Sequence, residues 1–334
     1  MFQELTKQGS LSFFLNKDMD PDQKIEEVTL LKDGTKVNHL YPGIFIINPP
    51  LESDESIAIS CGIHGNETAP IEITTTFLDD ILNNKVEVKV NLLIIIGNLY
   101  SMKLQKREVY FNLNRMFSET HKQHSQNEWE TKRAITIESA FHAFFVHSNH
   151  EKWHFDLHTA IRKSKIKRFA VAPVKTEQYS TDELNVLKNF GIEAIVYMQS
   201  KATTLSYYTH SYFNSNSFTL ELGKVEPFGE NILSEFHKAK NAIYQVATKG
   251  IESLKSSTED IKEFLVKKEL IKDSQNYTLN FPDDFPNFSK FERNFQVYTS
   301  DNSEYRTTED EFIAFPNQNV PIGQRTALIL VNKS

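Results

Sequence analysis

Ile57-Ala58-Ile59-Ser60-Cys61-Gly62-Ile63-His64-Gly65-Asn66-Glu67 is the stretch on which the fold turns. An apolar, β-branched run ends in it, and Ile71, Phe77, Leu78, Ile81 and Leu82 then recur at helical spacing. A turn at a strand end lets one imidazole and one carboxylate, His64 and Glu67, address the same point. Zinc accepts both ligand types, and a catalytic zinc keeps one position for water. A His-x-x-Glu pair alone is common on surface helices, so the rest of the chain has to supply the weight.

Outward from this stretch the pattern alternates. Val28–Leu31 reads as a strand, with a turn at Asp33-Gly34, and Gly43–Asn48 reads as a buried strand stopped by Pro49-Pro50. Strand Ile57–Ser60 leads to a helix from Glu67 to Asn83. The near-continuous apolar run Asn91–Ile96 suits a strand covered on both faces and closes at Gly97-Asn98. A helix is expected from Trp129 to about His147, then strands Trp153–Leu157 and Arg168–Ala172. Ser180-Thr181-Asp182-Glu183 has the form of a capping box opening a helix that ends before Gly191. Strands Glu193–Met198 and Ser217–Leu222 and a long helix Glu230–Leu254 follow.

Strands alternating with helices over residues 40–250 predict an α/β fold with a mostly parallel sheet flanked by helices. From about residue 258 short segments separated by Asn, Asp, Pro and Gly predict a smaller C-terminal β domain. The expected division is 1–255 and 256–334.

Composition narrows the function. With 39% hydrophobic residues, 25 Phe and 12 Tyr, the 334-residue chain can fill a large core. No apolar run reaches bilayer-spanning length, and Met1–Asn16 lacks the pattern of a secretory signal. The single cysteine, Cys61, rules out an internal disulfide and a Cys-rich metal site. These features predict a cytoplasmic protein with no membrane partner. The net charge of −7 and a basic cluster no longer than Arg162–Arg168 argue against nucleic-acid binding. An anionic substrate would have to be drawn by a local site.

In open α/β sheets ligands gather at the carboxyl ends of strands. Four groups end strands or follow them here: His64/Glu67, Asn98, His158 and Glu221. Asp156 and His158 are two apart on one strand and share a face, the placement of a carboxylate that orients a metal-site imidazole. His154 lies a further step from the rim, where it competes as a ligand only weakly. His121, His124, His142, His147 and His150 read as solvated. Glu221 closes an apolar strand, where a carboxylate is costly without a partner or a task. Acting as a general base is such a task. Arg107, Asn114 and Arg115 lie in one aperiodic loop, and arginine forks match carboxylates.

These motifs resemble a known family. His64-Gly65-Asn66-Glu67-Thr68-Ala69-Pro70, Asn114-Arg115, Asp156-Leu157-His158-Thr159-Ala160-Ile161-Arg162 and Glu221-Leu222-Gly223-Lys224 are similar to those of succinylglutamate desuccinylases, which stand with the aspartoacylases among zinc carboxypeptidase-like hydrolases. Asn287-Phe288-x-x-Phe291 and Phe315-Pro316-Asn317-x-x-Val320-x-x-Gly323-Gln324-Arg325 resemble that family's C-terminal β domain. The likeness runs from about residue 43 to 331. It implies one zinc per chain held by His64, Glu67 and His158, with Glu221 as the catalytic carboxylate. It also implies Arg107 as an oxyanion partner and Asn114, Arg115 and Arg162 as substrate contacts. The implied reaction is hydrolysis of N-succinylglutamate to succinate and glutamate, the last step of an arginine-degrading route. An aspartoacylase-like deacylase is the alternative within the family, and a non-catalytic zinc-binding protein is the alternative outside it. Homo-oligomers are compatible with the reading. The chain departs from the family pattern at Asn112, where Asp is usual, at Leu99, where Pro is usual, and at Asn294, where Gly is usual.

Overall fold

The computed structural model describes every residue except His147, Asn149 and Ser334. The expectation of a solvated His147 therefore lies outside the described residues.

Two short helices, α1 (Phe2–Gln8) and α2 (Ser10–Asn16), open the chain. The mixed polar texture there hides them, yet Leu5, Phe13 and Phe14 are fully buried. Ser10 ties them down by donating its backbone N–H (2.8 Å) and hydroxyl (2.5 Å) to Asp79 Oδ1. Strands β1 (Glu27–Leu30), β2 (Lys36–Tyr41) and β3 (Ile44–Asn48) form an antiparallel meander. The central unit is β4 (Ser56–Cys61), α3 (Thr68–Leu82), β5 (Asn91–Ile96), α4 (Leu99–Lys103), α5 (Trp129–Phe145) and β6 (Lys152–Ala160). Next come β7 (Phe169–Ala172), α6 (Thr181–Asn189), β8 (Ala194–Tyr197), α7 (Leu205–Phe213), β9 (Asn216–Lys224) and α8 (His237–Lys249). The expected capping box is present, with Ser180 and Glu183 satisfying each other's backbone N–H groups. Two expectations change. The anticipated helix over 230–254 is shortened at both ends: a 3-10 turn, Leu233–Phe236, precedes α8, and Gly250 at φ 79°, where a Cβ would meet Glu55 Oε1 at 2.5 Å, stops it. Helix α7 has no counterpart in the sequence reading.

The last segment adds β10 (Lys262–Ile271), β11 (Thr278–Leu279), β12 (Ser289–Phe291), β13 (Gln296–Thr299), β14 (Glu304–Arg306), β15 (Glu311–Ala314) and β16 (Arg325–Asn332). Among the described residues one 13-stranded mixed sheet runs β1-β2-β3-β5-β4-β6-β9-β7-β8-β10-β16-β15-β12, and β11-β13-β14 form a second, small sheet. The C-terminal strands thus extend the main sheet: β10 pairs in parallel with β8. Phe264, Phe288, Leu328 and Leu330 share a core with Phe169, Ala194 and Val196.

Strand order positions the site. Strands β5, β4, β6 and β9 lie in parallel at the centre. The chain leaves β4 through α3 toward β5 on one side, and leaves β6 toward the strands on the other. Such a divergence opens a crevice at the carboxyl ends of the two neighbouring strands.

Candidate metal and catalytic site

The loop Gly62–Glu67 turns the chain from β4 into α3, and its path depends on glycine. Gly62 sits at φ 64°, and Gly65 packs so closely on α4 that a Cβ would lie 2.2 Å from the Met102 backbone nitrogen. This close approach carries His64 and Glu67 over the end of β4. Because Cys61 pairs with Leu157, His158 stands one residue past the last rung between β4 and β6. Burial then brings the three side chains together: His64, Glu67 and His158 are all buried, and one ligand atom from each lies within 4.8 Å of the others.

The two rings, inclined at 66° to each other, both turn Nδ1 toward Glu67. His64 Nδ1 lies 2.9 Å from Glu67 Oε1, and His158 Nδ1 lies 2.8 Å from Glu67 Oε2. Their Nε2 atoms face acceptors: Asn112 Oδ1 at 3.1 Å for His64 and Asp156 Oδ2 at 3.0 Å for His158. The Asn114 backbone N–H donates to the same Asn112 oxygen at 3.0 Å, which fixes the amide's orientation. Both imidazoles are thus set to donate through Nε2 and to turn Nδ1 toward the shared point. That donor set suits zinc, which takes neutral imidazole and carboxylate. Asn112 therefore supplies an oxygen to His64, a role an amide fills as an Asp would.

Electrostatics agree. Burial raises the Glu67 carboxyl, but the two imidazoles outweigh it and hold the group well below its ordinary value. Burial lowers His158, but Asp156 and Glu67 outweigh it and hold this ring well above its ordinary value. His64 is pushed down to about 4, chiefly by burial and then by the Arg107 guanidinium. Two buried carboxylates around one ring favour positive charge at this point.

Glu221, on β9, is the register neighbour of His158. It is buried, and its Oε2 has no hydrogen-bond partner among the described residues. Burial, reinforced by the Glu67 charge, raises its carboxyl to about 7. Arg107, half-buried, donates to Glu67 Oε1 at 2.7 Å. Asn114 is buried and accepts the Leu205 backbone N–H at 3.0 Å, which anchors the start of α7. Arg115 is exposed and donates to the Asn114 carbonyl at 2.9 Å. Arg162 is partly exposed on the loop after β6.

Some residues belong elsewhere. Asn98 caps α4 by accepting the Ser101 N–H, lies fully buried and takes no place at the crevice. His154 bonds Ser60 and Thr209 beneath the cluster and is not part of it. His121 is buried against Glu138, 3.1 Å away, because the loop folds back on α5, so it is not solvated. Sequence reasoning missed Glu130 and Arg133. The Glu130 Oε1 accepts from Val109 N (2.8 Å), Tyr110 N (3.3 Å) and Asn98 Nδ2 (3.2 Å). Arg133 donates to the Gly97 and Ile96 carbonyls, each at 2.7 Å. Their signal was available: Glu130 falls on the stripe of Ala134, Ile137 and Phe141, and a charge on an apolar stripe needs a reason.

Comparison with known proteins decides the family. A model described as the succinylglutamate desuccinylase/aspartoacylase catalytic domain matches residues 53–247, and one described as the AstE/AspA barrel-sandwich hybrid domain matches 259–333. The chain belongs to the succinylglutamate desuccinylase/aspartoacylase family. Within it, the succinylglutamate desuccinylase of Pseudoalteromonas atlantica is 39% identical over 90% of this chain and 88% of its own. That of Serratia proteamaculans is 35% identical over 87% and 89%. The crystal structure of succinylglutamate desuccinylase from Chromobacterium violaceum superposes with a TM-score of 0.85 at 30% identity, covering 98% of each chain. Murine aminoacylase 3, at 13% identity, TM-score 0.57 and coverage of 85% and 100%, shares the fold alone. Among the described residues no helix is long and apolar enough to cross a membrane.

Proposed function

We propose that this family member is a succinylglutamate desuccinylase that holds one zinc ion between His64, Glu67 and His158. It would hydrolyse N-succinyl-L-glutamate to succinate and L-glutamate in the cytoplasm, as the last step of arginine degradation through succinylated intermediates. The observation that carries the reading is the convergence of two Nδ1 atoms on the Glu67 carboxylate, with Glu221 unpaired on the next strand. When bound, zinc acts as a Lewis acid that acidifies water and polarises the amide carbonyl.

The chain's own groups do the rest. Glu221 accepts the proton of the attacking water, and the same carboxyl then returns it to the departing glutamate nitrogen, so the base ends each cycle ionised. Burial suits this exchange, since it brings the carboxyl toward neutrality, where proton gain and loss are both accessible. Arg107, held beside the cluster by its bond to Glu67, offers its remaining donors to the oxygen on which charge develops. Asn114, Arg115 and Arg162 bind the carboxylates that distinguish this substrate from a neutral amide. The domain boundary is proposed at 255/256, in the segment between the two family matches.

The test is primary-amine release by zinc-loaded protein from N-succinylglutamate, N-acetylaspartate and N-acetylglutamate. Preference for the succinyl substrate, abolished by a chelator and restored by zinc, supports the proposal. Preference for N-acetylaspartate moves the chain to the aspartoacylase branch, and no turnover overturns the reading.

A further inference from the structure

His154 is fully buried four residues before His158 and takes no part in the chemistry above. It lies in the middle of a run of polar side chains. Asp156 Oδ1 meets Ser60 Oγ at 2.6 Å, Ser60 Oγ meets His154 Nε2 at 2.8 Å, and His154 Nδ1 meets Thr209 Oγ1 at 2.8 Å. From Thr209 the run continues to Ser217 Oγ at 2.9 Å and from Ser217 to Ser215 Oγ at 2.6 Å. Six side chains from β4, β6, α7, β9 and the residue just before β9 are thus joined below the site.

Proton counting gives the run from Thr209 to Asp156 one direction. The ionised Asp156 can only accept, so the single Ser60 hydroxyl proton lies on the Asp156 side. Ser60 Oγ must then accept from His154, which places that ring's proton on Nε2. The bare His154 Nδ1, at 2.8 Å, is nearer to the Thr209 hydroxyl than the Ser206 and Leu205 carbonyls at 3.1 and 3.2 Å, so Thr209 donates to the ring; beyond Thr209, Ser217 and Ser215 can each donate or accept. The Thr209, His154 and Ser60 dipoles all point at Asp156, and such an aligned chain strengthens each bond in it. At the far side Asp156 Oδ2 receives His158 Nε2–H.

We propose that His154, with Ser60 and Thr209, is a positioning residue for the metal centre: the one-way chain holds the Asp156 carboxylate where it keeps the His158 proton on Nε2 and leaves Nδ1 for the metal. The inference rests on the zinc reading above. It also assigns a task to α7, whose first N–H is held by Asn114 Oδ1 and whose next turn supplies Thr209.

The test measures zinc affinity by chelator competition in native protein, Ser60→Ala, Thr209→Val and Thr209→Ser, with melting of the metal-free forms alongside. Ser60→Ala and Thr209→Val should each weaken zinc binding about tenfold or more, the usual effect of losing an outer partner. Thr209→Ser, which keeps the hydroxyl, should bind within about threefold of native. The double variant should be no worse than Ser60→Ala, because both cut one chain. If Thr209→Val does not fold, Ser60→Ala and Thr209→Ser still decide. Native affinity in Ser60→Ala, or a loss in Thr209→Ser equal to that in Thr209→Val, overturns the inference. Imidazole nitrogen NMR on the native protein must show His154 protonated at Nε2; the opposite tautomer also overturns it. A native protein that binds no zinc overturns the zinc reading itself, and this inference with it.

Discussion

His158 on β6 and Glu221 on β9 are direct neighbours in parallel register. Sheet geometry sets such neighbours about 4.8 Å apart, so a proposed ligand and the proposed base are adjacent without any loop having to hold them. Glu221→Gln keeps the shape and removes the base. It should retain zinc content while kcat on N-succinylglutamate falls by about 10² or more. Retained turnover would refute the assignment.

Asn112 should tolerate Asp and not a hydrocarbon. Asn112→Asp keeps an acceptor for His64 Nε2 and for the Asn114 N–H, so zinc affinity should stay within about threefold of native. Asn112→Leu leaves both donors unmet and should weaken zinc about 10–100-fold. Chelator competition on the two variants distinguishes these outcomes.

Gly65→Ala inserts a methyl group into the α4 backbone, 2.2 Å from the Met102 nitrogen. The loop must shift, and His64 and Glu67 move with it. A stability loss of about 1–3 kcal/mol in denaturant unfolding, together with loss of zinc, is expected. A variant with native zinc affinity would show that the loop has slack which the packing does not suggest.

Glu130 should matter beyond its own helix. Its carboxylate gathers Val109 N, Tyr110 N and Asn98 Nδ2, and so fixes the loop that carries Arg107. Glu130→Ala strands buried donors and should cost about 3 kcal/mol. In Glu130→Gln the fold should survive, with a lowered melting temperature and kcat/KM reduced several-fold.

His39 governs part of the acid response. It stacks on Phe45 with centroids 4.1 Å apart, and neither ring nitrogen meets a partner in hydrogen-bonding geometry among the described residues. Burial pushes this imidazole down to about 3, against an opposing pull from the Tyr41 backbone. The sign follows from proton counts. Below the unfolded value of 6.5 the unfolded chain binds a proton that the folded one refuses, so His39 costs stability as pH falls from 6.5 toward 3. His39→Phe should therefore be more stable than native. Its advantage should grow by up to about 1.4 kcal/mol per pH unit over that window, as read by urea unfolding at several pH values. An advantage that does not change with pH would contradict this account.

The local signals were legible because they are local. The β-branched run before Gly62, the apolar Asn91–Ile96 and the capping box at Ser180 state their structure in consecutive residues, and strand-end placement marked His64, Glu67, His158 and Glu221. The one-face rule for strands likewise placed Asp156 beside His158. The short α7 was missed although its ends are marked: Thr204 caps its start and Asn214 closes it in the left-handed region, but Leu205–Phe213 between them offers little contrast between faces.

Sequence alone therefore determined the alternating α/β pattern, the residue types able to hold a metal and the family to which they belong, since these are properties of spacing and chemistry along the chain. Only tertiary structure decided that Asn112 serves His64, that Glu130 braces the Arg107 loop while Arg133 braces the end of β5, and that His154 lies in a chain ending on Asp156. Most of those bonds join residues distant in sequence, from Tyr110–Glu130, 20 positions apart, to Ser60–Asp156, 96 apart, whereas Asp156–His158 is local, two residues along one strand. Proton direction in such a network depends on which acceptors burial brings within reach, and strand order, not local propensity, determines that.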